Sequence, residues 1–145
     1  MKSYAAIIIA LMVNVLFSVQ LLAQDKVVVV VRADNPVDKM TRSQVIDLFM
    51  GKYVAFPDGK KAIAADLDGK QETKAIFYQQ LVGRSLASIN AYWSRIRFIG
   101  RKKAPRQQAS ETAMIAFIEN NESAIGYIPM SLMNKNLKVV YELDE

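Results

Sequence analysis

The sequence predicts a single α/β domain, a mixed and mostly parallel sheet flanked by helices. Three observations predict it. Residues 27–31 are five consecutive valines, and an unbroken β-branched run of that length reads as a strand covered on both faces. Short apolar, strand-like runs recur at residues 62–65, 124–128 and 138–141, and segments of helical periodicity lie between them. No internal repeat, linker or low-complexity tract divides the chain of 145 residues.

Each element has a local reason. The valine strand ends at Ala33-Asp34-Asn35-Pro36, where Pro36 pushes Asn35 away from helical angles. Thr41 and Gln44 are spaced as a capping box. Val45, Ile46, Phe49 and Met50 follow at helical intervals, predicting a helix over 41–50 that Gly51 terminates. Phe56-Pro57-Asp58-Gly59 is turn chemistry. Residues 62–65 form the second predicted strand, and residues 66–70 read as its loop into a helix over 72–82 that stops at Gly83. Ser85 caps the next helix, whose Ile89, Tyr92, Trp93 and Ile96 form one apolar stripe. Residues 99–106 read as a basic loop. Ser110 caps a helix through residue 119 with Met114, Ile115 and Ile118 inward. A strand over 124–128 stops at Pro129, a helical turn covers 131–134, and a last strand covers 138–141.

Residues 1–23 are set apart as an expected secretory signal peptide. Lys2 supplies the positive n-region, residues 5–17 are almost continuously apolar, and Ala23 offers a small residue before Gln24. The domain then runs over residues 24–145.

Composition excludes several chemistries. The chain has no Cys and no His. Disulfides, thiol chemistry and the commonest general base are therefore absent, and zinc and copper sites lose their usual ligands. No nucleophile–base pair carries a supporting motif, so no enzyme activity is expected. Asp66 and Asp68 lack the loop pattern of a calcium site, and no cofactor is implied. The formal net charge is +5, and between Thr73 and Ser110 there are eight basic residues and no acid. That asymmetry favours an anionic partner. The basic run lacks interleaved aromatics, which argues against nucleic acid.

The phrases Leu48-Phe49-Met50-Gly51-Lys52, Phe56-Pro57-Asp58-Gly59, Ala91-Tyr92-Trp93 and Ala124-Ile125-Gly126-Tyr127-Ile128 occur in this order along most of the domain. In that order they resemble the phosphate-binding proteins of ABC transporters, in particular short, single-domain PstS-like members of the periplasmic-binding-protein superfamily. The resemblance implies one periplasmic-binding-protein-like lobe. It also implies export to the periplasm and non-enzymatic binding of phosphate or a related oxyanion for an ABC permease or a sensor. Long members have two lobes that close on the ligand; a closed cleft here would take a second copy, a homodimer. Long members also carry an Arg and a Ser-Gly-Thr run after the second strand. The matching stretch is Asp66-Leu67-Asp68-Gly69-Lys70-Gln71-Glu72-Thr73, which has no Ser and adds Asp66, Asp68 and Glu72.

Helix N-termini attract anions, so two stretches are candidate anion sites. One comprises Gly69, Lys70, Gln71 and Thr73. The other comprises Arg101 and Lys102, with Ser110 and Thr112 at the next helix start. Asp34 and Asn35, at a strand end, are a third location. Tyr92 and Trp93 sit at core spacing and read as packing. The alternative function is an interaction module of the same fold, without a small ligand, docking an acidic partner or a membrane surface through its basic face.

Overall fold

The structure is a computed structural model and describes residues 25–100 and 102–143. The expected signal peptide and Arg101 lie outside the described residues. The elements are β1 (Val27–Arg32), α1 (Arg42–Phe49), β2 (Ile63–Leu67), α2 (Glu72–Val82), α3 (Leu86–Ile99), β3 (Arg106–Gln108), α4 (Glu111–Glu119), β4 (Ala124–Pro129), a 3-10 turn (Met130–Leu132) and β5 (Leu137–Glu142).

The sheet order is β3-β2-β4-β1-β5. β2 is parallel to β3 and to β4, while β1 is antiparallel to both β4 and β5. Four strands therefore run one way and β1 alone runs against them. Adjacent residues of β4 face opposite sides of the sheet, and they show what covers each. Gly126 abuts Met114 and Ile118 of α4. Tyr127 stacks on Phe77 of α2 at 3.8 Å between ring centroids and 6° between planes. Phe49 of α1 packs edge-on against Phe77 at 4.8 Å. With helices on both faces, all five valines of β1 are buried.

Helix boundaries follow the local chemistry. Thr41 and Gln44 form the complete capping box of α1, Ser85 and Ser110 cap α3 and α4, and Gly83 and Gly100 leave α2 and α3 in the left-handed conformation. Arg42 adds a long-range contact, donating to the carbonyls of Gln80 and Leu81 at the end of α2. Cations satisfy the free carbonyls of a helix C-terminus in this way.

Two expectations are corrected. Residues 66 and 67, expected in a loop, belong to β2 and are buried, because Asp66 finds partners inside the core. Arg106–Gln108, expected as part of a loop and helix approach, forms β3. Its polar residues suit an edge strand, which needs only backbone pairing to β2. β4 ends at Pro129 as expected but includes it as its last residue, one residue beyond the expected span.

Candidate functional site

β2 and β3 run parallel and finish level, Leu67 opposite Gln108. Each feeds a helix through a short connection, β2 into α2 and β3 into α4. The first turns of α2 and α4 consequently meet at the carboxyl edge of the sheet, the edge where ligands bind in open α/β sheets. Asp68 N–H donates to Gln108 C=O at 2.9 Å. The Gln71 side-chain amide donates to the Ala109 carbonyl at 3.3 Å, and the Thr73 hydroxyl donates to the Glu111 carboxylate. Gly69 turns the chain at φ 63°, a conformation that favours glycine.

The two helix starts differ. In α4, Ser110 Oγ accepts from Ala113 N–H at 3.1 Å. In α2 the cap position holds Gln71, whose side chain makes no cap hydrogen bond. Its amide is turned back to Asp68 instead, donating to the carbonyl at 3.1 Å and to Oδ1 at 3.0 Å. The first amides of α2 thus keep their positive end without a side-chain acceptor. Lys70 stands exposed beside them.

Beneath this edge lies a buried polar cluster. Asp66 Oδ1 accepts from the Tyr127 hydroxyl at 2.5 Å and Oδ2 from the Tyr78 hydroxyl at 2.7 Å. Lys74 Nζ, in the first turn of α2, is 3.5 Å from Oδ2. Tyr127 also accepts from the Leu67 N–H at 3.2 Å. Burial raises the pKa of Asp66 above the usual carboxylate value, while Lys74 and the two hydroxyls pull it back. Burial, followed by the neighbouring Asp66 charge, holds both tyrosines well above their ordinary range, so they remain donors. Asp66 therefore anchors the start of α2 from inside and does not present its charge at the surface.

The structure brings together Gly69, Lys70, Gln71, Thr73, Ser110 and Thr112. Lys102 is elsewhere: it lies against Gly51 after α1, with its Cβ 3.6 Å from where a side chain on Gly51 would begin. Residues 102–105 lead into the start of β3, at the opposite end of the strands. Asp34 and Asn35 are also at that opposite edge, because β1 runs against β2 and β4. Asn35 accepts from Val37 N–H and donates to Glu122 C=O. Asp34 is bound to Arg32 by two contacts of 2.6 and 2.8 Å, which hold its carboxyl below the usual range. These residues line an open cavity of about 410 Å³ with Phe56, Lys60 and Ser123. Trp93 is buried, and the Tyr92 hydroxyl donates to Met50 C=O at 2.8 Å; both serve packing. Sequence reasoning missed Glu111 and Lys74 as parts of the site. The role of Glu111 depends on β3 placing α4 beside α2, and β3 has no hydrophobic pattern to reveal it; that of Lys74 depends on Asp66 lying inside β2 and not in a loop.

Comparison with protein-family models finds no match, and comparison with curated proteins finds none. Solved structures do match. A protein of Clostridium perfringens described as a phosphate ABC transporter substrate-binding protein, solved with bound phosphate, superposes at a TM-score of 0.64 with 17% identity. The match covers 80% of this chain and 44% of that one. This chain has a periplasmic-binding-protein-like fold. An ABC-type phosphate transport receptor from Vibrio cholerae gives 0.63 and 18% identity, over 80% and 45% of the two chains. PstS from Borrelia burgdorferi gives 0.60 and 11%, over 80% and 46%. The chain thus spans less than half the length of these binding proteins.

Proposed function

We propose that this chain is an exported, non-enzymatic binding protein for phosphate or a related oxyanion. The anion is held at the carboxyl edge of β2 and β3. The observation that carries this reading is the start of α2, whose first-turn amides have no side-chain cap at the edge where a second helix start converges. Lys70 adds an exposed positive charge, and the hydroxyls of Thr73, Ser110 and Thr112 add polar groups nearby. The fold likeness to proteins named for phosphate transport supports the same reading. Export of residues 24–145 after removal of a signal peptide, and delivery to an ABC permease or a sensor, accompany it.

The site has its own acid. Glu111 accepts from the Thr73 hydroxyl and so offers a carboxylate to the same region that would hold the anion. An incoming oxyanion must displace that contact, which sets a modest affinity in the free lobe. A second lobe, supplied by another copy, would close the site over the ligand; light scattering with and without phosphate reads that step.

The test is isothermal titration of residues 24–145 with phosphate and then sulfate, at low and physiological salt. Saturable heat that persists in salt is the expected result. Lys70→Ala should weaken binding by about tenfold, the loss of one charge-assisted hydrogen bond of about 1.5 kcal/mol. Absence of heat, or binding indifferent to Lys70, refutes the assignment.

A further inference from the structure

The opposite edge of the sheet, where β2 and β3 begin, has a different character. Phe98 and Ile99 close α3 with relative exposures of 94% and 52%. Tyr53 and Val54, after α1, are 65% and 71% exposed. The chain that follows α3 is basic. Lys102 lies against Gly51, and Lys103 and Arg106 share a shallow groove with Tyr53 and Val54. Arg95 and Arg97 are exposed on the last turns of α3. Among the described residues, none of these five cations is ion-paired with an acid. The core does not need the four apolar side chains. The stretch from Thr73 to Ser110 brings no acid to the face, and Asp47 beside Tyr53 and Asp34 on the same edge are paired with Lys52 and Arg32.

We propose that this edge docks on an anionic lipid bilayer, with Phe98, Ile99, Tyr53 and Val54 entering the headgroup region and the surrounding Lys and Arg meeting lipid phosphates. Charge complementarity selects an acidic surface. The form of the apolar groups selects lipid over protein. They stand out as two adjacent pairs among cations, as in interfacial anchors, where aromatic and aliphatic tips sit below a basic ring. A protein interface of standard size instead buries a broad apolar centre depleted in charge. The docking edge is across the sheet from the start of α2, so a docked lobe keeps its candidate anion edge turned away from the bilayer.

The test is cosedimentation of residues 24–145, the same span used for the anion titration, with phosphatidylcholine vesicles, with and without phosphatidylglycerol. The expected result is binding that rises with phosphatidylglycerol and falls with salt. Lys102→Ala/Lys103→Ala should lower partitioning about 25-fold, at about fivefold per cation. Phe98→Ser should lower it about tenfold, as burial of an aromatic tip predicts. Circular dichroism should show Phe98→Ser folded as the parent, since the ring is exposed. Free phosphate at matched ionic strength should not release the chain. Four outcomes overturn the proposal. One is equal binding to both vesicle types, and another is variants that bind like the parent. A third is release by free phosphate, and the last is capture by soluble polyglutamate but not by vesicles, which would make the partner an acidic protein.

Discussion

Replacing Asp66 by Asn probes the buried cluster that fixes the start of α2. The change removes the charge facing Lys74 and leaves an ammonium in a site where both side chains are almost fully buried. At 3.5 Å and an effective dielectric of about 20, the lost attraction is about 4.7 kcal/mol. Breaking a buried pair from one side costs about 3–5 kcal/mol in practice, because the remaining charge stays uncompensated. The two tyrosine hydroxyls, at 2.5 and 2.7 Å, also lose a charged acceptor. A domain of this size has roughly 5–15 kcal/mol of stability, so the variant should be folded but fragile. Urea unfolding followed by Trp93 fluorescence is the assay. With a slope near 1.5 kcal/mol per molar, a 3 kcal/mol loss moves the midpoint down by about 2 M. The double variant Asp66→Asn/Lys74→Met removes both charges and should recover part of the loss, since apolar replacement of a buried pair is often close to neutral. A single variant within about 1 kcal/mol of the parent, or a double variant no better than the single, would refute a buried, mutually compensating pair.

Other predictions address the packing and the site. Gly126→Ala places a methyl 2.5 Å from Met114 Sδ and 2.9 Å from Ile118 Cδ1; thermal unfolding should report a loss of about 1–3 kcal/mol from overpacking. Thr41→Ala removes the capping box of α1 and should cost about 1 kcal/mol in the same assay. Glu111→Gln removes the competing charge beside Thr73. If the proposed site holds phosphate, titration should show affinity raised roughly fivefold or more, as expected for deleting a like charge about 5 Å away in a wet site.

Much of the fold is legible because its causes are local. The α1 capping box needs only Thr41 and Gln44, and Gly83 and Gly100 can end helices because they alone adopt left-handed angles cheaply. Five valines in a row require cover on both faces, and α2 and α4 provide it. The resemblance carried by short ordered phrases also pointed to the lobe that the structural comparisons match. The sequence by itself determined these helices, four of the five strands and the segregation of basic residues into one stretch. Only the tertiary structure decided the direction of β1, since a buried strand has the same composition whichever way its neighbours run. It alone revealed β3, whose residues pair through backbone and carry no apolar signal. The same strand separates Lys102 from Ser110 and Thr112, placing them at opposite edges of the sheet, while it brings Glu111 to Thr73. Asp66 shows the physical reason most plainly. In the sequence it is an acid beside a turn, and its character is set by three partners, Lys74, Tyr78 and Tyr127, the last of them 61 residues away. The protonation and exposure of such a group belong to the packed core, which no local pattern encodes.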